Sequence, residues 1–190
     1  KQLLERAYIE NSDLLADAVD SGRGVVLALP HLGNWEVGGL RAASQGARVL
    51  AVAEELGNER IVQWFVHLRT MMDIDVVIGR KGSRVTRELL QRLEEGGVIA
   101  LLCDRDISGR GVPVTFFGEE TTMPAGPVAL AERTGAVLLP AGTYFEPGAG
   151  HHCVIRPPLE IPEDGTVEQR IQRWTQRLAE VVEDIIRVAP

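Results

Sequence analysis

Short apolar runs alternate along this chain with longer stretches in which apolar positions recur every three or four residues. Val25, Val26, Leu27, Ala28 and Leu29 follow one another without a polar break, entered from Ser21-Gly22-Arg23-Gly24 and stopped by Pro30. That pattern predicts a strand covered on both faces, as in a parallel sheet. Pro30 has no N–H for a ladder, so pairing ends there. Gly33-Asn34 lets the backbone turn, and Asn34 is placed to cap a helix whose apolar positions include Val37, Leu40 and Ala43. His31 therefore falls between a strand end and a helix start, where open α/β sheets place their chemistry.

The same rhythm continues on either side. Leu4, Tyr8, Leu15, Ala18 and Val19 recur at roughly helical spacing and predict one opening amphipathic helix. Residues 48–53 form a second apolar run that predicts a strand ending just before Glu54. Ile61, Trp64, Phe65, Leu68 and Met72 mark a helix face, residues 74–78 a third strand, and Val85, Leu89 and Leu93 a helix stopped by Gly96-Gly97. Residues 98–102 are the most hydrophobic strand candidate, and they run straight into Cys103-Asp104-Arg105-Asp106. A buried strand accommodates those polar residues only if they project beyond the sheet edge.

Residues 107–122 are rich in glycine and predict a long, partly extended loop beside the site. Thr122-Met123-Pro124-Ala125-Gly126-Pro127 leads into a helix through Ala131, and residues 136–144 and 153–156 are further strand candidates. Thr166 opens a last helix with Val167, Ile171, Trp174, Leu178, Val181 and Ile185 on one stripe and Glu168 and Glu183 opposite. Alternating strands and helices predict an α/β fold, with a mostly parallel central sheet flanked by helices.

Composition narrows what such a sheet belongs to. With 190 residues, 45% of them apolar, the chain suffices for one core and is short for two, so a single domain over residues 1–190 is expected. A net charge of −7 argues against a broad electrostatic grip on nucleic acid. Cys103 and Cys153 allow at most one disulfide and no zinc-type cluster, which favours a reducing compartment. No run reaches the ~18 apolar residues of a membrane span, and the first residues lack a signal-peptide layout, so the expectation is a soluble, cytosolic segment.

A neutral imidazole at a strand end can accept a proton from a hydroxyl when a carboxylate holds its other nitrogen. Glu36, five residues on, and Asp104, at the end of another strand, are both open as that partner. Cys103 lies too close to a buried strand to serve as a nucleophile. Taken singly, Glu54 and Arg69 are ordinary surface charges, Asp104-Arg105-Asp106 is an ion-paired turn, and the aromatic residues are packing. A metal-dependent hydrolase using His31, Asp104 and Asp106 is a weak alternative, because one histidine with dispersed carboxylates is poor evidence for a metal site.

In combination, Pro30-His31-Leu32-Gly33-Asn34-Trp35-Glu36 resembles the histidine-x4-acid motif of the lysophospholipid and lipid A acyltransferase superfamily. Cys103-Asp104-Arg105-Asp106-Ile107-Ser108-Gly109-Arg110-Gly111-Val112, Phe116-Phe117-Gly118-Glu119 and Met123-Pro124-Ala125-Gly126-Pro127 are similar to the actinobacterial phosphatidylinositol mannoside acyltransferases, in the family's order. The resemblance covers about His31 to Glu146. It implies transfer of a fatty acyl group from acyl-CoA, as co-substrate, to a mannose hydroxyl of a phosphatidylinositol mannoside. This is cell-envelope glycolipid chemistry, carried out by a peripheral protein at the cytoplasmic face of the plasma membrane. No metal or redox cofactor is implied.

By motif, His31 falls on the catalytic base, Glu36 on the motif acid, Asp104 on the acidic partner of the histidine, and Glu54 and Arg69 on active-site positions. Some relatives carry glutamate where this chain has Asp104. The oxyanion donors would be backbone N–H groups of Gly33-Asn34 and either Arg69 or Arg105. Trp35, Phe65, Leu68, Met71 and Phe116 are candidates to line an acyl channel or simply to fill the core. Family members extend beyond this chain at both ends. The alternatives are acylation of a lipid A precursor or another glycolipid, and a noncatalytic lipid-binding module of the same fold.

Overall fold

A computed structural model describes residues 2–54, 57–79, 85–107 and 109–189. Its elements begin with α1 (Gln2–Glu5), β1 (Ala7–Glu10), α2 (Ser12–Asp20), β2 (Val25–Leu29), α3 (Trp35–Ser44), β3 (Val49–Glu54), α4 (Glu59–Thr70) and β4 (Asp75–Gly79). They continue with α5 (Val85–Glu94), β5 (Val98–Leu102), β6 (Val112–Phe116), β7 (Glu119–Met123), α6 (Gly126–Thr134), β8 (Val137–Glu146), β9 (Gly150–Ile155) and α7 (Val167–Val188). Seven strands form one sheet in the order β1-β9-β8-β2-β5-β3-β4, parallel except where β8 meets β9. The predicted α/β fold with a mostly parallel sheet is what the chain adopts.

Alternate residues of each central strand feed two cores. Val25, Leu27, Val49, Val98 and Leu139 pack with α2 and α3, whereas Val26, Ala28, Leu50, Ile99 and Leu138 pack with α5, α6 and α7. Burial on both faces is why these strands read as unbroken apolar runs. The chain leaves β2 toward β3 and leaves β5 toward β8, on the other side of β2. The carboxyl ends of β2 and β5 are therefore the topological switch point, where such sheets open a crevice.

Three expectations are corrected. The opening segment is not one helix: Ala7–Glu10 forms the edge strand β1, pairing in parallel with β9 from Ala7 opposite His151 to Glu10 opposite Val154. Four residues carry too little period to outweigh the flanking helical pattern, and the sheet edge decides. Residues 107–122 include a hairpin, β6 and β7, rather than only a loop. Glu183 does not lie on the open face of α7. It is 9% exposed, and its carboxylate accepts the Phe117 N–H at 2.7 Å and pairs with Arg187.

That hairpin is docked through α7, whose side chains take the place of a neighbouring strand. Gln176 exchanges hydrogen bonds with both the N–H and the carbonyl of Thr115, and Gln172 donates to the Pro113 carbonyl. The helix begins with a capping box between Thr166 and Gln169. At the other side of the site, Gly33 turns with φ +60°, and a Cβ there would stand 1.8 Å from the Thr143 carbonyl oxygen. Gly33→Ala should destabilise the protein by more than the ~1–2 kcal/mol of a left-handed alanine alone, because β8 must also move. Urea unfolding, with comparison of midpoints, measures it.

Candidate active site

Register places the central pair. β2 and β5 run in parallel with Val25 opposite Val98 and Leu29 opposite Leu102. Two residues past that last pair stand His31 and Asp104, so the ladder brings them to one edge. Asp104 Oδ1 lies 2.6 Å from His31 Nδ1, and Oδ2 accepts the His31 backbone N–H at 3.0 Å. One carboxylate thus fixes both the backbone and the ring of the histidine, leaving Nε2 as the nitrogen free of this contact. The His31 side chain keeps 30% of its surface exposed and Asp104 15%. Trp35 meets the imidazole edge-on at 5.6 Å.

Asn34 caps α3 as the sequence predicts, its side chain accepting the Val37 N–H. The cap aims the first turn of α3 over the sheet edge, and Glu36 on that turn reaches Arg69 of α4 rather than His31. The Arg69 guanidinium donates from Nε at 3.1 and 3.0 Å and from Nη2 to Oε1. Its Cζ lies 6.0 Å from the centre of the Phe65 ring. Of the two carboxylates open to His31, Asp104 holds it and Glu36 holds an arginine.

His31 of the first pair and both members of the second line one cavity of about 670 Å³ between the sheet and helices α3 and α4, within the usual size of a ligand site. His31, Trp35, Glu36, Arg69, Arg105 and Ile107 lie among its lining residues at the polar end. Deeper, the wall is built from small and aliphatic side chains, including Gly38, Gly39, Ala42, Ala51, Ala100 and Ala141.

The sequence matches the family model of bacterial lipid A biosynthesis acyltransferases across residues 1–190. It is also 38% identical over 179 residues to a phosphatidylinositol mannoside acyltransferase of Mycolicibacterium smegmatis, covering 94% of this chain and 58% of that protein. The protein of the same name in Mycobacterium tuberculosis H37Rv is 38% identical over 169 residues, 88% of this chain and 53% of its own length. The chain belongs to the lipid A acyltransferase family. It spans a little over half the length of the curated relatives it matches.

Against that family's pattern, the structure gathers His31, Glu36, Arg69 and Arg105 around one cavity, with Asp104 hydrogen-bonded to His31 and Asn34 at the adjoining cap. The Glu54 side chain lies outside the described residues. Of the channel candidates, Trp35 and Phe65 line the cavity. Met71 does not: it is 71% exposed. Phe116 packs against the opposite core, beside α7. The channel reading groups Met71 with Phe65, but α4 ends at Thr70 and Met71 is already its cap.

Gly38, Gly39 and Thr143 were not singled out by sequence reading, and Cys153 was read only for disulfide and metal chemistry. Two adjacent glycines inside a helix, each costing up to about 1 kcal/mol relative to alanine, were the available signal. The hydrolase alternative needs Asp106 to converge on His31, but Asp106 Oδ2 instead accepts the Gly111 N–H at 2.7 Å and the Thr122 hydroxyl at 2.9 Å. Among the described residues, no group of three His, Cys, Asp or Glu side chains is placed to hold a metal ion.

Burial pushes the Cys103 thiol well above its ordinary range, and the Asp104 charge pushes it further. Burial also raises Cys153, with the Thr143 hydroxyl pulling the other way. Neither thiol should be alkylated by iodoacetamide at neutral pH in the folded protein, whereas both should react in urea; mass spectrometry of the two peptides reads this. Glu36→Gln removes the charged partner of a partly buried guanidinium and should cost about 1.5–3 kcal/mol, measurable as a lowered urea midpoint.

Proposed function

We propose that the protein transfers a fatty acyl group from acyl-CoA to a mannose hydroxyl of a phosphatidylinositol mannoside, with His31 as the base. The observation that carries this reading is a carboxylate-held imidazole on the lining of a largely apolar cavity. With Nδ1 engaged by Asp104, His31 Nε2 takes the proton from the acceptor hydroxyl as its oxygen attacks the thioester carbonyl. Asp104 stabilises the imidazolium that forms. The tetrahedral intermediate then collapses with breakage of the carbon–sulfur bond, and coenzyme A departs with the proton as a free thiol.

Direct attack by the acceptor fits the lining of the cavity. Among its described residues there is no serine; Thr143 is 1% exposed, and Cys153 is held in its neutral form by burial. Among the described lining residues no hydroxyl or thiol is thus placed to carry the acyl group between donor and acceptor. Arg69, fixed by Glu36, and Arg105 supply positive charge at the mouth, where the thioester oxygen becomes anionic. Asn34, through the backbone N–H of its turn with Gly33, belongs to the same role.

The acceptor is a lipid, and the rim of the cavity together with the outer face of α4 suits a bilayer surface. Ile107 lines the cavity and is 70% exposed, and Ile61 and Trp64 on α4, the helix that supplies Val62, Phe65 and Arg69 to the lining, are 44% and 58% exposed. Among the described residues no helix is long and apolar enough to cross a membrane, so contact through this rim would be peripheral, and we assign it to the cytoplasmic face, where acyl-CoA is made.

Acyl transfer from radiolabelled hexadecanoyl-CoA to purified phosphatidylinositol mannosides tests the reading. His31→Ala, confirmed as folded by circular dichroism, should lose about 10²–10⁴-fold in kcat, and Asp104→Asn should lower kcat far more than it raises KM. Turnover should survive exhaustive treatment with EDTA. Wild-type rates in folded His31→Ala would remove the base. Transfer to a lipid A precursor in place of the mannolipid would move the protein to the other acceptor class.

A further inference from the structure

We propose that Tyr8, braced by His152, binds a second sugar ring of the acceptor headgroup, beyond the mannose whose hydroxyl is acylated. The proposal rests on the reading that the acceptor is a mannosylated lipid. On the face of the sheet that carries α7, three rings stand in one row across adjacent strands. Tyr144 on β8 is opposite His152 on β9, and His152 is opposite Tyr8 on β1. The row begins beside the candidate site, since the Gly33 turn packs against the Thr143 carbonyl and Leu32 packs against the cluster of Tyr144, Val154 and Ile185.

Tyr8 is 52% exposed, yet its ring is held in place. It stacks on the His152 imidazole with centroids 4.4 Å apart and planes 13° from parallel. His152 is fixed in turn: Nε2 lies 2.9 Å from Glu10 Oε2, Nδ1 lies 3.7 Å from Glu146 Oε1, and the Tyr144 ring adjoins it at 5.6 Å. Tyr144 is buried, and its hydroxyl donates to the Ile185 carbonyl at 2.8 Å. Ordering an exposed aromatic side chain costs conformational entropy, and this one buries little in return. Because β1 is the edge strand, the outer face of the Tyr8 ring has no neighbouring strand. A ring that is stiff without being buried suits a ligand that stacks on it, since the cost of ordering is met before binding.

The rim selects the ligand. Glu10 and Glu146 flank the row, and among the described residues Glu10 Oε1 and Glu146 Oε2 accept no hydrogen bond. Two such carboxylates repel a phosphate and accept protons from hydroxyls. A pyranose answers both features: the C–H groups of its face meet the negative face of the phenol ring, and the hydroxyls at its edge reach the carboxylates. From β2, which ends just before His31, to β1 is three strand spacings, about 14 Å. The ring that stacks on Tyr8 is therefore not the ring that reacts at His31.

Titration of the isotope-labelled chain with methyl α-mannoside and with a mannose disaccharide, followed by amide shifts in NMR spectra, locates the site. Saturable shifts should cluster at residues 8–10 and 150–153. Tyr8→Ala should weaken this binding about tenfold, and Tyr8→Phe, which keeps the ring, should restore most of it. In acyl transfer, Tyr8→Ala should raise KM for an acceptor bearing two mannoses far more than it lowers kcat.

Shifts absent from those strands, equal sugar binding in Tyr8→Ala, or an unchanged KM in that variant would overturn the proposal. So would a preference of the same amides for tetramethylammonium over either sugar, which would assign the ring to a cation. A wild type that binds sugar at Tyr8 but transfers no acyl group to a mannolipid would instead overturn the proposed reaction and leave the sugar site standing.

Discussion

The parallel pairing of β2 with β5 is the constraint on which the rest of the site depends. Leu29 opposite Leu102, with the Cys103 N–H donating to the Leu29 carbonyl at 2.9 Å, carries the two chains out of the sheet side by side. His31 and Asp104 meet because both lie the same number of residues beyond that pair. A one-residue slip would send every side chain of one strand to the other face. Such a slip is blocked by burial, since Val25, Val26, Ala28, Val98 and Ile99 are fully enclosed between the two helix layers. The geometry of the candidate site is thus set by the hydrophobic register of a strand pair, with the site residues contributing little to it.

On one side of that pair the interior is tightly filled, and on the other it is hollow. The core under α5, α6 and α7 holds Trp174, Leu178, Leu93, Met123 and Ile99. The space under α3 holds alanines on the sheet and glycines on the helix. A large cavity is costly to stability, and the dense core, together with the 22-residue helix α7 and its capping box, supplies the compensating packing. The chain carries its instability where a ligand can relieve it.

The segment after Asp104 shows how a loop rich in glycine is made rigid. Asp106 closes the turn onto Gly111 and Thr122, and the exposed edge of β6 is covered by Gln172, Gln176 and Glu183 of α7. Two side-chain amides and a carboxylate thereby satisfy backbone groups that another strand would otherwise seek. Arg105 and Ile107, which line the cavity, are held between this anchored hairpin and the end of β5.

By itself the sequence determined the sheet and the place of its chemistry: unbroken apolar runs ending at Pro30-His31 and at Cys103-Asp104 announce buried parallel strands with polar ends. It also carried the family's motifs in order. It did not decide which carboxylate holds His31, because Glu36 and Asp104 both sit at acceptable positions and only the order of strands makes β5 the neighbour of β2. Nor did it reveal β1, a four-residue edge strand whose pairing partner lies more than a hundred residues away. The hollow beneath α3 was equally a product of assembly, since a glycine in a string of letters is empty space only once something has been packed against it. Periodicity is a local property and survives in the sequence; register between distant strands and the volume left between layers are properties of the packed whole.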